Sequence, residues 1–306
     1  MATILSLGGV LPGSVGANEQ ATGAESPSRP VRAVKAPAIA LVVPAYRHAF
    51  TSVEPTIASS GIQAWSNQLF LGGTFVLPVG DAFGVRAGLE GGVGWNHSDS
   101  AFFSPDWVSG ELGLLAEGFT RNPGVGELGV RFAYDTVFSE RVDADWNAAV
   151  GGFGTLYVGR FDLGLGLDYL FGLWRPPDFP PFTPSETKDS GFGLDAFVRW
   201  YPLDSVSLAL GVEYTITHRD TQSLGAPFSF DAVSVGPDVR VAWLPPICDQ
   251  RIVSLEGGFR YRSNWSNPAT GGITLPDRRA DAFGGDVLIR LHWPGLASLI
   301  ELNREY

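Results

Sequence analysis

Along much of the chain, apolar and polar positions alternate. Phe83, Val85, Ala87, Leu89, Gly91, Val93 and Trp95 share one parity, and Gly84, Arg86, Gly88, Glu90, Gly92, Gly94 and Asn96 the other. Successive strand side chains point to opposite faces, so this segment has one oily face and one small or charged face. The pattern recurs. Leu128, Val130, Phe132, Tyr134 and Phe138 oppose Glu127, Gly129, Arg131 and Asp135; Phe161, Leu163, Leu165, Leu167, Tyr169 and Phe171 oppose Asp162, Gly164, Gly166 and Asp168. Val206, Leu208, Leu210, Val212, Tyr214 and Ile216 oppose Ser207, Gly211, Glu213 and Thr215, and Val253, Leu255, Phe259 and Tyr261 oppose Ser254, Glu256, Arg260 and Arg262. Parity alone does not label a face as inner or outer, but size and chemistry do. The oily face is uniformly large, whereas the other mixes glycine with Arg, Asp and Glu, which suits a polar lumen inside a lipid-facing wall. A soluble sandwich or barrel puts its oily face inside. Runs of roughly 10–15 residues also fit a tilted membrane span better than the ~5–6 usual in soluble sheets.

The nine tryptophans fall at or near the ends of these runs. Indole belongs where hydrocarbon meets water, so Trp65, Trp95, Trp107, Trp146, Trp200, Trp243 and Trp293 are expected in two membrane-interface girdles, with Trp174 and Trp265 also at strand ends. Tight links are expected near Gly80–Asp81, Asn122–Gly126, Gly159–Arg160, Pro202–Ser205 and Pro245–Gln250. Longer ones are expected over His97–Asp106, Arg175–Ser190, Arg219–Pro227 and Ser266–Arg279, with a short exception near Ser139–Asp145. Short turns on one side and longer loops on the other are the arrangement of outer-membrane barrels, whose short turns are periplasmic. Alternation yields about eleven strands from Trp65 to Trp293, and single-chain bacterial barrels have even numbers. A further strand is therefore expected within Leu41–Ser60, giving an all-β, antiparallel, up-and-down transmembrane barrel of about 12 strands, with 10 or 14 as alternatives.

The last strong strand, Phe283–Gly–Gly–Asp–Val–Leu–Ile–Arg–Leu–His–Trp293, carries Val287, Ile289, Leu291 and Trp293 on one face. It resembles the aromatic-ended C-terminal strand of bacterial outer-membrane β-barrel proteins, a likeness of pattern covering most of Leu41–Trp293 without a subfamily motif. The resemblance implies residence in a Gram-negative outer membrane, contact with its lipid and lipopolysaccharide, and recognition by the barrel assembly machinery. It departs from the usual pattern in having Pro294–Tyr306 after the aromatic residue. Residues 295–306 are expected as a short periplasmic tail or an imperfect last strand.

Composition narrows the picture. The charged fraction is 17%, against about 25% in an ordinary soluble domain, and no apolar run reaches the ~18–20 residues of a spanning helix. A net charge of −11 without a basic stripe argues against nucleic acid. One cysteine, Cys248, permits no internal disulfide, and no zinc-ligand spacing occurs; neither metal nor cofactor is expected. Ile4–Val15 followed by Gly16–Ala17 reads as a signal segment over 1–17, although Lys or Arg is missing from its flank. Residues 18–38 read as a flexible tail rich in Ala, Ser, Glu and Pro, and 39–294 as the barrel.

By parity the interior holds Arg86, Glu90, Glu111, Glu117, Glu127, Arg131, Asp135, Asp162, Asp168 and Asp195. It also holds Arg199, Glu213, Arg219, Asp238, Arg240, Glu256, Arg260, Arg262, Asp286 and Arg290. Direct pairs are expected for Glu117 with Arg131 and for Arg240 with Glu256. Arg260 and Arg262, with Arg240 or Arg290 nearby, form either an anion-binding cluster or charge balance for Glu256 and Asp286. Three functions follow: a passive pore for small polar solutes, with a guess at cation preference; a structural or surface-recognition barrel with an occluded lumen; and a membrane lipid hydrolase. The hydrolase reading looks to Asn96–His97–Ser98–Asp99 and Thr217–His218–Arg219–Asp220, but neighbours His97 and Ser98 point to opposite faces of a strand, so no catalytic residue is assigned. Five prolines in Arg175–Ser190 predict a stiff extended loop.

Overall fold

A computed structural model describes residues 38–53, 62–79, 82–99, 106–122, 124–139, 142–174, 186–223, 226–245, 253–270, 273–274, 278–293, 299–300 and 304. The N-terminal signal and tail expectations and most of the proline-rich loop lie outside them. Strands run β1 (Ala38–Val53), β2 (Ile62–Val79), β3 (Phe83–Ser98), β4 (Asp106–Asn122), β5 (Gly126–Ser139), β6 (Val142–Val158) and β7 (Phe161–Trp174). They continue with β8 (Thr187–Leu203), β9 (Val206–Ser223), β10 (Ala226–Trp243), β11 (Val253–Thr270), the two-residue β12 (Ile273–Thr274) and β13 (Arg278–Trp293). Every pairing is antiparallel, the long strands pair in chain order with β11 against β13, and β1 pairs with β13, so twelve long strands close a barrel and β12 is a two-residue pairing against the end of β11. Closure removes the unpaired edges that hydrocarbon would leave without hydrogen-bond partners.

The oily parity faces outward. On β7, Leu163, Leu165, Leu167 and Tyr169 are 40–58% exposed, while Asp162 on the opposite parity is 0% exposed. A water-filled surround would make such a wall costly; acyl chains accept it without penalty. Trp65, Trp95 and Trp146 lie outward at the extracellular strand ends, and Trp200, Trp243 and Trp293 outward at the other. Trp107 departs from expectation: it shares a parity with Ser109, Glu111 and Glu117 and lines the interior, while Val108 faces out. Trp107 is the second residue of β4, and the parity that sets Glu111 and Glu117 inside sets this indole inside as well.

At the periplasmic rim each described turn is tied to the next strand but one. Ala82 accepts from the Arg121 N–H (2.8 Å), Val125 from Tyr157 (2.9 Å), Arg160 from Tyr201 (3.0 Å) and Ser205 from Leu244 (2.8 Å). On the other side the barrel extends further than the alternation indicates. β9 and β10 continue to Ser223 and from Ala226, and β11 to Thr270, so the expected long links at Arg219–Pro227 and Ser266–Arg279 are largely ladder. Above the bilayer a strand needs no oily face, so its sequence no longer alternates.

The strand expected within Leu41–Ser60 is β1. Its pairings shift register between Val42 and Ala45, around Pro44. Proline cannot donate to a ladder, and a bulge absorbs it. The extra residue reverses the parity, turning Arg47 inward and Tyr46 outward.

Candidate functional site

Register sets the geometry of the lumen. Starting at Ala38 and stepping strand to strand through Val76, Arg86, Glu117, Arg131, Gly151, Asp168, Gly193, Thr215, Ser234, Asn264 and Ala280, one circuit returns to β1 at Val53. The pairing thus climbs the length of a strand in one turn, the stagger that accompanies strongly tilted strands. Side chains in one row therefore sit at different heights.

Inside lies a cavity of about 850 Å³, lined from Trp107, Arg219 and Arg279 at the extracellular end to Ser207, His292 and Leu299 at the periplasmic end. All of Arg86, Glu90, Glu117, Arg131, Asp135, Asp168, Asp195, Arg199, Glu213, Arg240, Glu256, Arg260, Arg262, Asp286 and Arg290 line it. The passage is off-axis. On β4–β7 its lining stops at Glu117, Arg131, Ala149 and Asp168, whereas around β9, β10, β13, β1 and β2 it continues to Ser207, Ala242, His292, Ala38 and Val76.

Below the β4–β7 side, two buried clusters close the floor. Arg86 joins Glu117 and, at 3.4 Å, Glu127, which Arg121 also engages. The Phe119 ring lies beneath both guanidiniums, 4.8 Å from Arg86 and 4.6 Å from Arg121. Two cations and two carboxylates cancel, and the stacked ring replaces part of the lost hydration. The second cluster centres on Asp162. Tyr201 donates its hydroxyl to it, Arg304 donates Nε at 2.8 Å, and Arg199 stands 3.8 Å away. Arg304 also donates to the Gly159 carbonyl (2.7 Å) and lies over Tyr157. Leu299 and Ile300, in helical conformation, pack with Tyr201 and Leu244. The chain beyond Trp293 therefore returns to the rim, and its described residues add no strand.

Higher in the lumen Arg131 reaches across β6 to Asp168, donating Nε at 2.8 Å, and also engages Asp195. Glycines open this path. A Cβ on Gly151 would strike Asp168 and the Leu167 carbonyl, and one on Gly166 would strike Arg131 and Asp195. Gly151→Ala is expected to lower stability by about 1–3 kcal/mol, the usual cost of overpacking, in urea titrations of the folded barrel; stability equal to the parent would show that the bridge does not need the gap. Elsewhere Arg262 engages Glu213, Arg290 donates to Glu256 (3.1 Å), and Arg240 and Arg260 both approach Asp238, at 3.1 and 3.4 Å.

The expected partnerships are thus corrected. Glu117 and Arg131 share a register row but turn to Arg86 and to Asp168 with Asp195; Arg240 aligns with Gly258 and bonds Asp238, leaving Glu256 to Arg290. Arg260 engages Asp238 and Arg262 engages Glu213. Arg47, whose guanidinium lies 3.6 Å from Glu111 and over Phe70, belongs to the lumen but was hidden by the β1 bulge. Arg304 was hidden because no local pattern marks a residue that acts 142 positions from its partner.

The histidine motifs do not assemble a hydrolytic site among the described residues. His97 bonds Asp106 (2.7 Å) and stacks on Trp65, while Ser98 is buried on the opposite parity. His218 bonds Asp231 (2.8 Å) on the outer flank. A Ser–His contact does occur inside, Ser254 to His292 at 2.8 Å, a pair that parity alone did not single out. Its carboxylate, Glu256, accepts from the serine rather than from the imidazole, which is not the orientation a triad requires.

No family model matches the chain, and no curated protein matches it. Among solved structures it is similar to the COG4313 outer membrane channel from Pseudomonas putida F1, with 17% identity over 86% of this chain and 99% of that one and a TM-score of 0.57. Looser similarities reach the translocator domain of the autotransporter NalP from Neisseria meningitidis (12% identity, 85% and 90% covered, TM-score 0.47) and the outer membrane protease OmpT from Escherichia coli (9%, 85% and 97%, 0.34); at these scores they carry no weight. The fold is that of a bacterial outer-membrane β-barrel. Together with an oily exterior, it places the chain in that membrane.

Proposed function

We propose that the protein is a passive, narrow channel for small polar solutes, and not an enzyme. The observation that carries this reading is the cavity lined by charged side chains from the extracellular rim to the periplasmic end. Twelve strands enclose more space than the side-chain-filled eight-stranded barrels and less than the 16–18-stranded porins. Charged walls in a low-dielectric shell favour hydrated solutes and exclude oily ones. The exterior contacts outer-membrane lipid and lipopolysaccharide, and β13 ending at Trp293 is the segment the barrel assembly machinery would read. The fifteen lumen charges are the proposed lining of the conduction path.

A second reading, a structural or recognition barrel with an occluded lumen, draws support from the floor of Arg86, Phe119, Glu127 and Asp162. Planar-bilayer recording of the purified, folded protein separates the two. The channel reading expects discrete conductance steps; a folded barrel that never conducts leaves the occluded barrel standing.

A further inference from the structure

Charge is not spread evenly round the mid-lumen. On the wall of β3–β5 stand Glu90, Glu111 and Asp135, with Arg47 of β1 3.6 Å from Glu111, bonded to Gln68 at 3.4 Å and acting on Glu90 through its charge. Glu90 and Asp135 flank Gly113 in one register row, and the missing side chain lets the Glu90 carboxylate lean over it toward Asp135. A Cβ there would lie 3.0 Å from Glu90 Cγ and 3.4 Å from its Oε1. Among the described residues Glu90 makes no hydrogen bond or ion pair. Asp135 is 7% exposed and accepts from Asn147 through Oδ2 at 3.4 Å, while its buried Oδ1 has no partner. A carboxylate oxygen held in this state against a cavity is an open acceptor for a cationic donor.

Opposite, on β10 and β11, stand Arg240 and Arg260, which converge on Asp238. In the ring of twelve, β4 and β10 are six strands apart in either direction. Glu90 interacts electrostatically first with Arg47, then with Glu111 on its own wall and with both arginines across the bore, and Asp135 with Glu111 and Glu90. The lumen thus offers acceptors on one side and bidentate donors on the other.

We propose that Glu90, Glu111 and Asp135, facing Arg240 and Arg260, form a station for amino-acid-like zwitterions, with the solute ammonium against the acidic wall and its carboxylate on the guanidiniums. This assignment rests on the channel reading and adds the solute class. A neutral solute of equal size gains neither contact. An anion meets the acidic wall and a cation the basic one, so only a solute carrying both charges satisfies both walls.

The test is swelling of proteoliposomes containing the full chain, in L-glutamine and in L-arabinose, a neutral solute of similar mass. Glutamine is expected to enter roughly three- to tenfold faster than arabinose, the selectivity of one or two partly screened charge contacts. In the isosteric variant Glu90→Gln with Asp135→Asn the ratio is expected to fall toward one. Arabinose entering as fast as glutamine in the parent protein overturns the station while leaving the channel intact, and needs no variant to fold. A ratio that persists in a folded variant also overturns it. Failure of both solutes to enter overturns the channel reading itself.

Discussion

Arg86→Met is expected to destabilise the barrel by about 3–5 kcal/mol, the usual cost of removing one partner from a buried ionic cluster. Arg86 is 2% exposed, and the carboxylates it serves, Glu117 and Glu127, are 3% and 5% exposed. Methionine preserves much of the apolar stem over Phe119, so the loss reports mainly on charge. Two buried carboxylates then share Arg121 alone. Urea unfolding in lipid vesicles, followed by tryptophan fluorescence, measures the change. A loss below about 0.5 kcal/mol, the range of an ordinary surface substitution, would mean that water reaches the floor and that these ions need no partner.

The second large effect concerns the outer wall. Leu167 is 57% exposed near the middle of β7. Leu167→Arg is expected to cost about 2–4 kcal/mol, as for arginine at the bilayer midplane. Thr215→Arg adds the same charge to a lumen-lining position of β9 and is expected to cost under about 1 kcal/mol, because water and carboxylates receive it there. The comparison of the two matters more than either value. Equal costs would remove the distinction between a lipid face and a wet face on which the fold assignment depends.

Those two walls also mark what the amino-acid sequence made legible. Lipid imposes a uniform demand on every outward residue, so alternation on β3, β5, β7, β9 and β11 reveals both strand and face without tertiary knowledge. The signal fails where that demand ends. Arg219–Ser223 continues β9 above the bilayer and reads as loop, because nothing there requires an oily side. Pro44 reverses the parity of β1 and conceals Arg47.

Ion-pair partners were least legible, for geometric reasons. Cross-strand rows pair Glu117 with Arg131, but each long side chain chooses among several rows and heights. Arg131 passes the bare Gly151 to Asp168. Only the three-dimensional placement of glycines decides such a choice. Arg304 is a stronger case: its contact with Asp162 depends on how the chain returns beneath the barrel, which no strand period encodes.

Cysteine accessibility in single channels tests the central claim most directly. With Cys248 replaced by serine, Asp286→Cys places a thiol in the lumen and Leu167→Cys places one on the outer wall. A water-soluble, charged methanethiosulfonate is predicted to change the unitary conductance of the Asp286 variant and to leave that of the Leu167 variant untouched. Modification of Leu167→Cys with Asp286→Cys inert, or no current through either folded protein, would contradict the account.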